Sequence, residues 1–343
     1  NKFGQRLKKK VISVIKYALF LVAGIGMLWL TFRNQDFTQV IQKIENVHIG
    51  WLLASVVAAI LAHLSRAIRW NMLITPLGYK PKLINTFWAL CAGYFANLAV
   101  PRLGEITRCG MLTKAEQVPF NELFGTVIVE RIMDVLMLFL LLLAVAALEF
   151  HLIGGFLYDT IAAPLMSKFQ NLNLPLVAGA LVIGIVAIFA YFYFSKHSGK
   201  SKAIFEKINL LLKGVVDGIK SIAKMKNKSL FIFHTLFIWV MYFFASYLCF
   251  FALDSTSMLD AKAGLFILVI GGLGMSAPVQ GGIGAFHFIV SRGLMLYGIS
   301  ETEGIVYATI VHGYQTILVL VLGAIGFFVL MATGRRIKTN NGL

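Results

Sequence analysis

Charge is scarce in this chain, and acid is scarcer than base. Only 13% of the 343 residues are Asp, Glu, Lys or Arg, against 59% hydrophobic, and mean hydropathy is +0.81. An ordinary soluble domain, with about a quarter of its residues charged, is excluded. Cysteine is nearly absent: Cys91, Cys109 and Cys249 lie scattered in apolar surroundings. No CxxC spacing or Cys/His cluster suggests zinc, and an odd count cannot complete a disulfide set, so buried unpaired thiols are expected. Also missing are an HExxH, a P-loop, a Ser/His/Asp motif and a DxD-like metal motif. No catalytic residue, metal or cofactor is therefore expected. Nucleic acid is set aside as a partner, because no basic stripe coincides with a nucleic-acid-binding motif.

What the chain has instead is apolar runs long enough to cross ~30 Å of hydrocarbon, which takes about 20 helical residues. The fold class expected is all-α, a polytopic helical membrane protein forming a single transmembrane domain over 1–343. The net charge of +16 gathers beside the ends of the apolar segments, the positive-inside pattern. Lys2, Arg6, Lys8, Lys9 and Lys10 place the N-terminal segment in the cytoplasm. The run Val11–Phe32 lacks a small-x-small cleavage site and reads as a first outward span; His48–Trp70 returns. Nine lysines between Lys196 and Lys228, against Glu206 and Asp217, mark a second cytoplasmic stretch. Its apolar residues from Ile204 to Ile222 recur at helical spacing, predicting a basic amphipathic helix over 196–228 on the inner leaflet or on the protein's own cytoplasmic face.

Working back from that anchor, Leu174–Ser195 runs inward and Asn121–Leu148 outward. Between cytoplasmic Lys82 and Lys114, Leu83–Val100 and Leu103–Leu112 are each too short for comfortable crossings. They fit a re-entrant hairpin turning at Pro101-Arg102-Leu103-Gly104-Glu105. The second half repeats the order upside down: a span at Leu230–Leu253, two short segments, Gly264–Ala277 and Ile283–Gly298, around Pro278–Gly282, and a span at Gly304–Thr333 ending near Arg335, Arg336 and Lys338. About six spans and two re-entrant hairpins thus form an inverted-topology repeat, 1–148 and 174–333. In such folds substrate binds near the midplane, at paired broken helices. A bacterial-type cytoplasmic membrane with both termini inside is the expected setting.

Ionisable residues inside a membrane mark functional sites by default. Arg102, Glu105 and Arg108 follow the first break, and spacings of three put Glu105 within helical reach of both arginines. Arginine forks beside a helix start suit a phosphate; anchoring at headgroup level is the competing reading. Glu130, Arg131 and Asp134 share the next span and should face the bundle, where they could pair with Arg102 or with Arg66 and Arg69. A buried salt-bridge network that fixes helix register is the reading preferred for at least one of the acids, with a proton or ion relay as a further alternative. Asn97 precedes the first break. At the second, Gly281, Gly282 and Gly284 permit positive φ and close approach, and a helix starting near Ala285 would offer backbone donors to an anion. Gln280 flanks that turn, and His287 lies one turn into the helix. His63, His312 and Gln315 are further candidates for a cavity wall.

Arg66-Ala-Ile-Arg69-Trp70, Asn97-x3-Pro101-x-Leu103-Gly104-Glu105, Glu130-Arg131-x2-Asp134 and Gly281-Gly282-x-Gly284 together resemble the transmembrane region of lysylphosphatidylglycerol synthases, over nearly the whole chain. The resemblance implies a stand-alone, flippase-like protein that handles phospholipid, with anionic or aminoacylated headgroups as cargo. It also implies that lysyl transfer is not expected, since 343 residues leave no room for a large soluble transferase domain. His287 stands where the family pattern usually has an acid. A small-solute or ion-coupled transporter, and a scaffold for a lipid-modifying enzyme, remain alternatives; a homo-oligomer is compatible with each.

Overall fold

The structure, a computed structural model, describes residues 22, 24–33, 35–150, 227–277 and 279–340, with 334–340 as backbone only. The described residues form helices and short turns, with no strand among them. The chain divides into two compact units, residues 1–145 with 227–343, and residues 146–226. The polar residues singled out above belong to the first.

Residues 24–32 are helical. A short helix α1 (Phe37–Glu45) follows, started by Asp36, whose carboxylate accepts the Thr38 N–H at 2.9 Å; an Asp cap satisfies one of the donors every helix start leaves open. Helix α2 (Ile49–Ile74) runs into a 3-10 turn, Thr75–Leu77, that stops at Gly78 with φ 93°. Then come α3 (Leu83–Ala99), α4 (Leu103–Glu116) and α5 (Phe120–Leu148). After the undescribed stretch, α6 (Lys228–Tyr247) continues through a 3-10 turn to Ala252. It is followed by α7 (Ala261–Ser276, capped by Asp260), α8 (Ala285–Met295) and α9 (Glu301–Asn340). Ile49–Leu77, Phe120–Leu148, Lys228–Ala252 and Glu301–Thr333 are each long and apolar enough to cross a membrane. They coincide with four of the expected spans. The expected span over 174–195 lies outside the described residues, as do Pro278, all but the last two residues of the amphipathic stretch 196–228, and most of the span over 11–32.

Two helical hairpins stand where the short segments were read. In the first, Gly93 of α3 lies against Gly104 of α4. A Cβ on Gly93 would stand 2.9 Å from the Gly104 carbonyl oxygen, and one on Gly104 would collide with Gly93 O and the Asn97 amide. Only glycine at both positions lets the backbones approach this closely, the small-residue rule of helices in lipid. In the second hairpin Gly274 of α7 meets the Phe286 backbone of α8, 3.0 Å from where its Cβ would be. Helix α9 crosses α3 at two further glycines: Gly323 lies against Phe95 and the Cys91 carbonyl, and Gly326 against the Trp88 carbonyl. Trp70, Ile74, Leu90, Leu112, Leu123 and Leu330 form a buried cluster where α2, α3, α4, α5 and α9 converge. All three cysteines are free and buried, as their surroundings predicted.

Candidate functional site

Above that apolar cluster lies a compact group of charges. Arg66 and Arg69, one turn apart on α2, face Glu130 and Asp134, one turn apart on α5. Arg66 Nη2 donates to Glu130 Oε1 and, at 2.7 Å, to Asp134 Oδ2; Arg69 Nη2 donates to Asp134 Oδ1 at 2.7 Å. Arg108, from α4, donates its Nη1 to the other Glu130 oxygen at 2.8 Å. Glu130 therefore ties three guanidiniums from two helices to a third helix. Arg69 and Glu130 are fully buried, and Arg66 and Arg108 nearly so. A second layer holds the arginines in place: Tyr242 Oη accepts from Arg66 Nη1 at 3.1 Å, and the Trp70 ring lies 4.7 Å under the Arg108 guanidinium. Trp70 is itself fixed by donating Nε1–H to Thr126 Oγ1 at 2.8 Å.

Three buried arginines face two carboxylates, so one positive charge is left over. Glu105 and Arg131 lie 3.9 Å apart beside the cluster and cancel each other, with Arg131 42% exposed along its side chain. Buried donors without a partner include Arg108 Nη2, Arg66 Nε and Arg69 Nε, and nearby Tyr94 Oη has none either. Unpaired donors and net positive charge in a low-dielectric setting attract an anion, because each unmade charged hydrogen bond is costly there.

The arrangement corrects part of the spacing argument. Glu105 pairs with neither Arg102 nor Arg108. Arg102 precedes α4 as its N-cap, in the left-handed region at φ 66°, so helical spacing does not apply to it. Arg108 turns instead to Glu130, whose two oxygens in a buried position make the stronger acceptor. Arg102 is exposed, with no ion pair or hydrogen bond among the described residues. Asn97 works inside the hairpin: its Oδ1 accepts the Gly104 N–H at 2.6 Å across the break and satisfies a helix-start donor. Tyr242, Tyr94 and Thr126 escape a sequence reading, since a lone hydroxyl on an apolar span carries no signal beyond its polarity.

At the second break Gly281, Gly282 and Gly284 all have positive φ, 57°, 74° and 82°, which glycine tolerates and other residues rarely do. Their close approach is to the protein itself. Gly282 lies against Met275, and Gly284 against the backbone of Gly24 and Leu28 in the helix 24–32. Gln280 is half-buried. His312 of α9 donates from Nε2 to the Gly281 carbonyl at 2.8 Å, and the buried His287 ring lies 4.9 Å from the His312 ring. The two breaks also meet: a Cβ on Gly281 would stand 2.9 Å from Leu98 Cδ2, near the end of α3. No hydrogen bond or ion pair joins the histidines to the arginine cluster among the described residues. Among those residues, too, no group of three or more His, Cys, Asp or Glu is placed to hold a metal.

Comparison with known proteins agrees with this architecture. The family model described as lysylphosphatidylglycerol synthase TM region matches residues 13–323. A UPF0104 membrane protein of Methanocaldococcus jannaschii is 27% identical over 157 residues, 45% of this chain and 44% of that protein. The match thus spans less than half the length of that relative. No solved structure matches. A match over most of the chain, together with four apolar helices of spanning length, makes this an integral membrane protein belonging to the lysylphosphatidylglycerol synthase TM region family.

Proposed function

We propose that this protein moves phospholipid between bilayer leaflets, with an anionic headgroup received at the first break. The observation that carries this reading is Arg102. It is an exposed guanidinium with no partner among the described residues, held in a left-handed conformation at the tip of a helical hairpin. Behind it stands a buried cluster with one positive charge in excess. A planar fork suits a phosphate, and Arg131, with its side chain 42% exposed, is the other guanidinium of the group that is not buried. The buried arginines Arg66, Arg69 and Arg108 act from behind: they bias the potential of the site and fix the helices that frame it.

An inverted repeat of six spans and two re-entrant hairpins is the architecture proposed with it. Its support is reciprocal packing. Helices α2 and α6, which would be counterparts, lie side by side through Ser65–His234 and Arg66–Tyr242. The first hairpin lies on α9, the last span of the second half, while Gly272 of the second hairpin faces Leu138 of α5, the last span of the first. The test is a leaflet assay in liposomes bearing fluorescent phosphatidylglycerol, with a membrane-impermeant quencher reporting outer-leaflet lipid. Reconstituted protein is expected to make the inner pool accessible and Arg102→Ala to slow it. Folded protein that leaves the inner pool protected would sink the proposal.

A further inference from the structure

We infer that His287 and His312 form a proton-binding site whose occupancy governs the contact between the two breaks. The inference rests on the translocator reading for its purpose, and on geometry for its substance. His312 donates Nε2–H to the Gly281 carbonyl at 2.8 Å, which assigns its neutral tautomer and leaves Nδ1 with a lone pair. His287 Nδ1 is buried and has no partner. The two rings stand edge to face at 4.9 Å, so a proton on either nitrogen lies within the influence of both imidazoles, and a second would be repelled by the first.

The surroundings decide what that proton does. Phe286 of α8 lies 5.6 Å from the His312 ring, and Phe32, at the end of the helix 24–32, lies 6.1 Å from the His287 ring. Among the described residues, the titratable groups facing the pair from the packed elements are the two histidines themselves. Neither makes an ion pair or hydrogen bond with an Asp, Glu, Lys or Arg among the described residues. The nearest charge along α8, Arg292, is already paired with Glu301 at 2.8 Å. Among the described residues an imidazolium formed here has no counter-ion, and a buried charge without one is costly. A proton therefore favours whichever arrangement lets water reach the pair.

One path to water follows from the contacts. His312 holds the Gly281 carbonyl, and Gly281 rests on Leu98 of the first hairpin. Lifting the glycine turn from Leu98 hydrates the histidines and parts the two breaks together. The proton taken from one side of the membrane would thereby open the path between the hairpins, and its loss would close it. No covalent step is involved: the proton comes from water, binds an imidazole nitrogen and returns to water.

The experiment introduces a cysteine by Leu98→Cys into the full chain in liposomes and follows its maleimide labelling across about pH 5 to about pH 8, the range of histidine. The unsubstituted protein, whose three cysteines are buried, supplies the blank. Labelling is expressed relative to the same substitution combined with His287→Gln, which cancels the intrinsic pH dependence of the thiol. The ratio is expected to rise as pH falls, with a steepest slope approaching about tenfold per pH unit for one coupled proton. His312→Gln, whose amide can still donate to the Gly281 carbonyl, is the second reference and covers misfolding of the first. Because each reference keeps one imidazole, the double variant His287→Gln/His312→Gln serves as the third, and a ratio that stays flat against all three overturns the proton site. Lipid scrambling is read in the same vesicles. Acid-dependent labelling without scrambling would overturn the translocator reading and leave the proton site standing; scrambling with a flat ratio would do the reverse.

Discussion

Replacing Arg102 by glycine separates the stability of the first hairpin from its use. Arg102 adopts φ 66°, and the described chain has one other non-glycine residue with positive φ, Gln117, at φ 57° after the last turn of α4. A left-handed L-residue costs about 1–2 kcal/mol, and glycine gives back about 0.5–1 kcal/mol of that through its freer unfolded chain. Because the Arg102 side chain has no partner among the described residues to lose, Arg102→Gly is expected to stabilise the fold by roughly 0.5–1 kcal/mol. Gln117→Gly, at the end of the same helix, relieves the same backbone conformation but gives up one exposed hydrogen bond, from Gln117 Nε2 to the Lys114 carbonyl at 3.3 Å, so its gain should be smaller. The two part company in function. Removing a guanidinium that grips a phosphate forfeits a charged hydrogen bond of about 1.5–3 kcal/mol, or roughly tenfold to a hundredfold in rate. Chemical unfolding in mixed micelles and fluorescent-lipid scrambling, run on the same preparations, provide the two readings. Arg102→Gly should come out as stable as Gln117→Gly or more so, yet scramble slowly, while Gln117→Gly scrambles at the native rate. Equal scrambling by both variants would refute a headgroup role for Arg102. A loss of stability confined to Arg102→Gly would show that its side chain is part of the structure.

Two other perturbations read the packing directly. Glu130→Gln leaves three buried arginines facing a single carboxylate and is expected to destabilise by about 3–5 kcal/mol, as breaking a buried ion network does. Adding Arg108→Met restores the native excess of one positive charge, so the double variant should recover part of that loss; a double variant less stable than Glu130→Gln alone would contradict the charge argument. Gly104→Val forces a side chain into the Gly93 carbonyl and the Asn97 amide, costing about 1–3 kcal/mol or more by overpacking. Gly110→Ala, two turns on in α4 with nothing within 4 Å of its new methyl group, should instead gain about 0.5–1 kcal/mol. Both are checked by unfolding in the same micelles.

Much of the fold was legible because hydropathy and backbone breakers act locally. Val100-Pro101 cannot continue a helix, since the proline ring disfavours α geometry in the residue before it; α3 does end at Ala99. Three glycines within four residues likewise announced the turn before α8. The buried cluster was half legible. Glu130 and Asp134 share a helical face that an apolar helix has to turn inward, but the letters leave their partner open between Arg102 and the pair Arg66 and Arg69, and packing decides for the latter. Arg108 lies within i,i+3 reach of Glu105 yet pairs with Glu130. The i,i+3 rule ranks only neighbours on one helix, and it is overridden when a buried carboxylate on another helix offers a better acceptor. Nothing in the letters shows that the Asn97 amide crosses the break to Gly104, or that His312 of α9 reaches Gly281. Such contacts join residues distant along the chain, and their register depends on how whole helices pack.

The two hairpins, alike in outline, are anchored differently, and this bears on which of them can move. Hairpin α3–α4 is tied through Arg108–Glu130 to α5, and through Glu130 to both arginines of α2. Sliding α4 by one turn would strand Arg108 as an unpaired buried charge, while Glu130 keeps Arg66 and Arg69; such a loss costs several kcal/mol. Among the described residues, hairpin α7–α8 has no such buried ion network. The contacts of its glycine turn among the described residues include the hydrogen bond from His312 to the Gly281 carbonyl and packing against Leu98, Met275 and the helix 24–32. Its ion pair, Arg292–Glu301, lies at the far end of α8, half exposed, where such pairs contribute at most about 1 kcal/mol. A net hydrogen bond contributes about 1 kcal/mol as well. Any rearrangement that opens a path between the breaks therefore costs least when the first hairpin stays fixed and the second one shifts. That ordering places Arg102 on the stationary side and divides the histidine pair, His287 on the moving hairpin and His312 on α9 packed against the fixed one, so the opening step falls at the boundary between them.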